Sequence, residues 1–196
     1  DNTLGVVKYT LHGQKMPDMD QYSSWAADHP VGKDYVLQNY SAPARCEDQK
    51  EFTEKEAEIV RHNVEENVLD MVKAHPETTF YFYTPPYSAL WWYKTKCSGN
   101  LERYFQAEQL QAELLLQYDN VKLFSFTDLY DLTCDLDNYK DDTHYSEQIS
   151  ADIMDWIHDG TYQMTEANYK SRIENMTDYY LHYNYSKSGI PLAQEN

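Results

Sequence analysis

In the last third of this 196-residue chain, Asp141 and His144 stand three residues apart. Those two residue types at that spacing have a chemical use. A carboxylate can accept the imidazole Nδ1 proton, fixing the tautomer and stabilising the imidazolium, which leaves Nε2 to take a proton from a hydroxyl nucleophile. Asp142 points elsewhere in most loop geometries and is expected to be solvated. With Asp135 and Asp137 it surrounds His144 with negative charge, which favours the protonated ring. D-x-x-H alone is a weak motif, since an acidic surface turn before a helix cap has the same form. Its weight depends on the elements that position it.

Those elements alternate. Residues 1–50 read as irregular, with Val6 to Leu11 as one short strand and Pro17, Pro30 and Pro43 as punctuation. Thr53-Glu54-Lys55-Glu56 is a capping box, and Ala57, Val60, Val64, Val68 and Val72 follow as the stripe of an amphipathic helix ending near His75-Pro76. Thr78 to Thr84 is β-branched and aromatic throughout, the pattern of a strand buried on both faces, and Pro85-Pro86 stops it. A helix from about Asn100 to Gln117 offers Leu101, Tyr104, Phe105, Ala112 and Leu115 to a core. Val121 to Phe126 is a second strand. Ser146 can cap a helix lined by Ile149, Ile153, Trp156 and Ile157, with Gly160 as its C-terminal stop. A last helix, roughly Thr165 to Tyr180, carries Tyr169, Ile173, Met176 and Tyr180 on one side. Strand–helix alternation from 53 to 160 favours right-handed crossovers and a parallel α/β sheet. The chain reads as one domain over 1–185, with 186–196 as a flexible tail.

In such a sheet, ligands bind beyond the carboxyl ends of the strands. Two segments belong there: Thr84-Pro85-Pro86-Tyr87-Ser88 after the first strand, and the Asp-rich stretch that ends in Asp141–His144. The aromatic run Tyr87, Trp91, Trp92, Tyr93 follows the first of these loops. It can form a stacking wall for a sugar or an acyl chain, or the apolar start of a crossover. Adjacent Trp91 and Trp92 do not both face a core easily, so at least one is expected in a cleft or exposed. Tyr87, Ser88, Trp91, Trp92 and Tyr145 are the candidate substrate contacts.

Bulk properties narrow the partners. The net charge of −17, from 33 acidic and 16 basic residues, repels phosphate backbones and no basic stripe offsets it, which argues against nucleic acid. The 19 tyrosines suit half-buried positions and carbohydrate- or peptide-facing surfaces, or replace leucine in a lean core. The longest apolar runs are too short to span a bilayer. The opening Asp1-Asn2-Thr3 has no basic start or apolar h-region and reads like the interior of a longer precursor. Cys46, Cys97 and Cys134 match no zinc spacing and allow either one disulfide with a free thiol or three thiols. Asp135 to Asp141 fails the calcium-loop pattern at Tyr139 and Lys140, and the remaining histidines show no metal spacing. Asn39, Asn175 and Asn184 head glycosylation sequons, a short pattern that also arises by chance.

The string Asn138-Tyr139-Lys140-Asp141-Asp142-Thr143-His144-Tyr145-Ser146, with a strand before it and a helix after it, resembles the last block of SGNH/GDSL hydrolases. Asn63 to Ser88, a helix, a strand and then Pro-Pro-Tyr-Ser, is similar to the middle part of DltD-like envelope proteins of that superfamily. The resemblance covers residues 53–160. It implies a three-layer, flavodoxin-like α/β/α fold with a mainly parallel sheet, and leaves open that the first strand is missing. It further implies an esterase or O-acyltransferase with a Ser-His-Asp mechanism, in which His144 is the general base and Asp141 its orienting carboxylate. The implied substrate is an acylated glycan or other ester, such as a cell-envelope polymer, with no cofactor and with a membrane-bound acyltransferase as partner. The implied location is extracytoplasmic, secreted or anchored through a missing N-terminal segment.

One departure bears on all of this. The family carries its nucleophile in a Gly-Asp-Ser or Gly-Ser-Ser turn, and none of Gly5, Gly13, Gly32, Gly99, Gly160 and Gly189 precedes such a pair. Either the serine belongs to a longer enzyme of which this is the C-terminal part, or a divergent member gave it up. Ser88 lies in the right neighbourhood but lacks the strained turn that exposes a nucleophile. Asn39 and Asn63 are oxyanion candidates by residue type alone. A non-catalytic glycan- or protein-binding domain on the same scaffold is the alternative.

Overall fold

Thr53 opens the first long helix as its spacing to Glu56 predicts. Its side chain accepts the Glu56 N–H while the Glu56 carboxylate accepts the Thr53 N–H at 2.8 Å. In the computed structural model, which describes residues 29–38 and 40–194, residues from Val31 onward cluster as one compact unit. The expected Val6–Leu11 strand lies outside the described residues. After a short helix α1 (Lys33–Gln38), α2 (Glu54–Val64) runs into a π turn, Glu65–Leu69, and resumes as α3 (Asp70–Ala74). The π turn adds one residue to the repeat. The buried stripe therefore steps from Val64 to Leu69 and then Val72, and Val68, expected in the stripe, is left half-buried.

Strand β1 (Phe80–Thr84) pairs in parallel with β2 (Val121–Ser125), from Phe80 opposite Val121 to Thr84 opposite Ser125. The two-residue β3 (Gln163–Met164) joins β2 antiparallel, so the described sheet is mixed, in the order β1-β2-β3. The chain is thus of α/β type with a small mixed sheet. The expectation that β1 is buried on both faces is corrected. Phe80 and Phe82 turn to the core, but Tyr81 and Tyr83 are 56% and 46% exposed. β1 lies at the edge of the described sheet, and the helix on that second face, Glu147–His158, packs on Phe124 and Phe126 of the neighbouring chain segment. Tyrosine tolerates this because one part of it can stay in water while the ring packs, Tyr81 stacked on Phe124 and Tyr83 tilted against Phe126.

Two helices connect the parallel strands where one was expected. Ser88 caps α4 (Ala89–Cys97), Gly99 breaks it at φ +70°, and α5 (Leu101–Leu115) follows. The sequence of α4 hides its helical nature because it is buried nearly all round and shows no amphipathic period. Gly99 also lets the chain pass close by: a Cβ there would collide with the Asp48 carbonyl oxygen. Segment 46–50 is pinned alongside by the Cys46–Cys97 disulfide and by Lys50 N–H donating to Gly99 O at 2.8 Å. Cys134 is a free thiol.

α5 and α8 (Tyr169–His182) pack their apolar stripes together, and Trp92 of α4 stacks on both through Phe105 (4.8 Å between ring centres) and Tyr180 (4.7 Å). All four residues expected on the inner side of α8 are buried. On the other face of β2, α7 (Glu147–His158) sets Ile149 and Ile153 against Phe124 and Phe126. Ser146 occupies the cap position of α7, but its side chain makes no cap hydrogen bond. A short helix α6 (Tyr130–Thr133) and a 3₁₀ turn, Leu136–Asn138, lie between β2 and α7. The tail expected to fray from Ser186 packs as far as Ile190, which is buried. Tyr185–Ser188 form a 3₁₀ turn in which the Tyr185 hydroxyl donates to Tyr180 O and the Ser188 hydroxyl to Cys134 O, each at 2.6 Å.

Candidate functional site

An antiparallel bridge between Tyr139 and Tyr145, with Lys140 N–H donating to His144 O at 2.7 Å, closes residues 140–144 into a tight loop. Inside it, Asp141 Oδ1 accepts the N–H groups of Thr143 (2.8 Å) and His144 (2.7 Å). Its other oxygen, Oδ2, lies 2.6 Å from His144 Nδ1. Asp141, and not Asp142, is therefore the partner of His144. Partial burial raises the Asp141 carboxyl, but the backbone donors of His144 and Thr143 and the imidazole outweigh it, and the group sits below the usual carboxylate range. The side chains of His144 and Asp141 are 55% and 46% exposed, so solvent screens the pair and it adds little to stability. What it fixes is the ring's orientation.

The loop is fastened to the carboxyl end of β1. The Tyr139 hydroxyl donates to Pro86 O at 2.6 Å, and Ser88 donates to Asp142 O through both its N–H (3.2 Å) and its Oγ (2.8 Å). Lys94 on α4 reaches the Asp142 carboxylate at 2.6 Å. The expectation of a solvated Asp142 is thereby corrected: its carbonyl anchors one loop and its carboxylate pairs with a helix lysine. Behind the loop, Lys140 is buried and its ammonium meets Glu147 at 2.5 Å.

The other candidate residues divide. Tyr87 packs on Trp91 (4.8 Å between ring centres), and both are half-buried. Tyr145 is half-buried beside Tyr83 and Tyr87, and its hydroxyl is pushed up to about 12, chiefly by burial and then by those two phenols. Ser88 and Trp92 are fully buried, which removes both from the surface a substrate can touch. Ser88 is consumed as a cap and a tie. Trp92 is a core residue whose indole N–H donates to Tyr87 O at 3.1 Å. Trp91 fills the role expected of one of the two tryptophans, lining a cleft with Phe52, Val60 and Tyr104.

Tyr83 and Lys94 were not among the sequence candidates. Strand alternation could have placed Tyr83 on the face opposite Phe82, whereas nothing in the sequence marks Lys94. Among the described residues, no group of three or more His, Cys, Asp or Glu is arranged to hold a metal ion, and no helix is long and apolar enough to cross a membrane. No protein-family model, curated protein or solved structure matches the chain.

Proposed function

We propose that this chain is an SGNH-like esterase or O-acyltransferase domain with a three-layer, flavodoxin-like plan. The observation that carries the reading is the Asp141 carboxylate on His144 Nδ1 at 2.6 Å, in a loop tied to the carboxyl end of a parallel strand. In the proposed reaction a serine outside this chain attacks the ester carbonyl and passes its proton to His144 Nε2. The imidazolium, held by Asp141, returns that proton to the departing alcohol. Water or an acceptor hydroxyl then takes the acyl group from the serine by the same proton relay run in reverse. Tyr87, Trp91 and Tyr145 border the acyl or sugar portion. An acylated envelope glycan is the proposed substrate and a membrane-bound acyltransferase the proposed partner. An extracytoplasmic location is supported by the Cys46–Cys97 disulfide, because such bonds persist in oxidising compartments.

The test uses the full-length protein and p-nitrophenyl acetate. His144→Ala is expected to lower turnover by about 10³-fold or more, the scale of losing a triad base. A wild-type rate in that variant would remove the triad assignment. The 196-residue chain alone is expected to turn over little, and rapid turnover lost in Ser88→Ala would contradict the role given to Ser88. A second reading, a non-catalytic glycan-binding surface, draws on the exposure of Tyr81 and Tyr83. It predicts that Tyr83→Ala abolishes oligosaccharide binding while His144→Ala does not.

A further inference from the structure

Trp91 lies on the face of α4 that meets the Asp141–His144 loop. Ser88, three residues before it, and Lys94, three residues after it, both bond Asp142, at 2.8 and 2.6 Å. Beside Trp91 a cleft of about 470 Å³ opens between α2, α4 and α5, walled by Phe52, Ile59, Val60, Tyr104 and Ala107. That volume is within the roughly 300–1,000 Å³ of small-molecule sites. A guest can reach its lining, since Ile59 is 59% exposed and Phe52, Val60, Trp91 and Ala107 are half-buried. The wall that carries Phe52 is fixed in advance. Segment 46–50 just before it is held by the Cys46–Cys97 disulfide, by Gln49 Nε2 donating to Lys96 O at 2.9 Å, and by Lys50 Nζ donating to Ser98 O at 2.7 Å.

The lining favours hydrocarbon over sugar. The Thr95 hydroxyl already donates to Trp91 O and the Ser98 hydroxyl to Thr95 O, each at 2.9 Å, and Asn100 Nδ2 donates to Ser98 Oγ at 3.0 Å. Arg103 and Glu56 pair with each other, and the Glu56 carboxylate also accepts the Thr53 N–H and hydroxyl. What the cleft offers a guest is chiefly carbon, from the rings of Trp91 and Phe52 and the side chains of Ile59, Val60 and Ala107. We propose that this cleft holds the acyl chain of the ester, a straight hydrocarbon chain longer than acetyl, laid along Trp91 and against Phe52, Ile59 and Val60.

The cleft and the catalytic pair share a wall. Trp91 packs on Tyr87, 4.8 Å between ring centres, and Tyr87 lies beside Tyr145, the residue after His144. A chain seated on Trp91 therefore leads back over Tyr87 and Tyr145 toward the His144 loop. This assignment rests on the esterase reading of His144 and adds to it the class of acyl group. Chain length is its signature, because each methylene taken fully out of water gains about fourfold in affinity.

The test has a binding arm and a turnover arm. n-Octanol and n-butanol are titrated into the 196-residue chain and followed by amide NMR shifts of Ile59, Trp91 and Ala107. Octanol is expected to saturate these shifts and to bind at least about tenfold tighter than butanol, a fraction of the full gain because the cleft is open on one side. Ile59→Asp, which sets a charge in the wall, and Ala107→Phe, which fills the cleft from α5, should each weaken octanol about tenfold. In the full-length protein, kcat/KM for p-nitrophenyl octanoate should exceed that for the acetate by about tenfold or more, and Ile59→Asp should lower that ratio. No hydrolysis of either ester would overturn the esterase reading and the acyl assignment with it, whether or not octanol binds. Acetate turnover with no saturable octanol shift, or with an octanoate-to-acetate ratio near one, would overturn the acyl site and leave the His144 reading standing. Octanol affinity unchanged in the variants would overturn it as well. Ile59 is exposed, so Ile59→Asp decides the matter if Ala107→Phe fails to fold.

Discussion

Replacing Tyr139 by Phe isolates the contact that joins the two strand-end loops. The ring volume is kept, and only the hydroxyl that donates to Pro86 O at 2.6 Å is lost. Both Tyr139 and Pro86 are buried, so water does not replace the donor. A net hydrogen bond contributes about 0.5–1.5 kcal/mol, and an orphaned buried acceptor costs about 1–3 kcal/mol. We therefore expect a loss of about 2 kcal/mol, a sizeable share of the ~5–15 kcal/mol that holds a domain folded. For a chain of this length that corresponds to a fall in Tm of about 4–8 °C. The assay is urea unfolding with the slope checked for constancy, alongside a thermal melt. Ser88 fastens the same two loops through Asp142 O. A double-mutant cycle of Tyr139→Phe with Ser88→Ala should show a coupling of about 0.5 kcal/mol or more. The reasoning is refuted if Tyr139→Phe lies within about 0.3 kcal/mol of wild type, or if the two changes add with no coupling.

Two more outcomes follow from the site residues. Trp92→Ala should cost about 3–5 kcal/mol, since it empties the stack between Phe105 and Tyr180, while the half-buried Trp91→Ala should cost clearly less. The reverse order in urea unfolding would contradict the core assignment of Trp92. The pH dependence of Asp141→Asn is also fixed in sign. The native carboxyl is held below its usual range, so its stabilising contribution is complete above the ordinary carboxylate value and fades as pH falls through the lower folded one. The stability gap between wild type and Asp141→Asn should be constant above about pH 5 and close below about pH 4. A gap that widens on acidification would show that the backbone donors of His144 and Thr143 and the imidazole do not hold the carboxyl low in solution.

The elements that announced themselves in the sequence are those whose local signals and burial agree. The capping box at Thr53, the apolar run from Val121 into β2 and the inner stripe of α8 each state the same answer twice. The failures have physical causes as well. α4 carries no period because it is buried nearly all round, so only Ser88 before it and Gly99 after it mark a helix. Continuous aromatic character cannot separate a strand buried on both faces from an edge strand whose tyrosines keep their hydroxyls in water, and Tyr81 and Tyr83 are the second kind. The π turn that displaces Val68 from the core has no sequence mark that a helix of normal pitch would lack.

For the site, spacing alone was enough to separate Asp141 from Asp142, because an aspartate three residues before the histidine can bond that residue's backbone and ring together. Residue type without geometry was not enough for Ser88. A nucleophilic hydroxyl has to be presented at the surface of a sharp turn, with its oxygen clear of structural duties. The Ser88 oxygen instead accepts the Trp91 N–H at 3.4 Å and donates to Asp142 O at 2.8 Å. Turning it outward would uncap α4, at about 0.5–2 kcal/mol, and strip the Asp142 carbonyl of its side-chain donor. The loop would then lose one of the ties that hold Asp141 and His144 at the end of β1. Ser88 thus supports the pair's position only by giving up any chance of being attacked or attacking, which is why the chemistry proposed for His144 has to draw its serine from elsewhere.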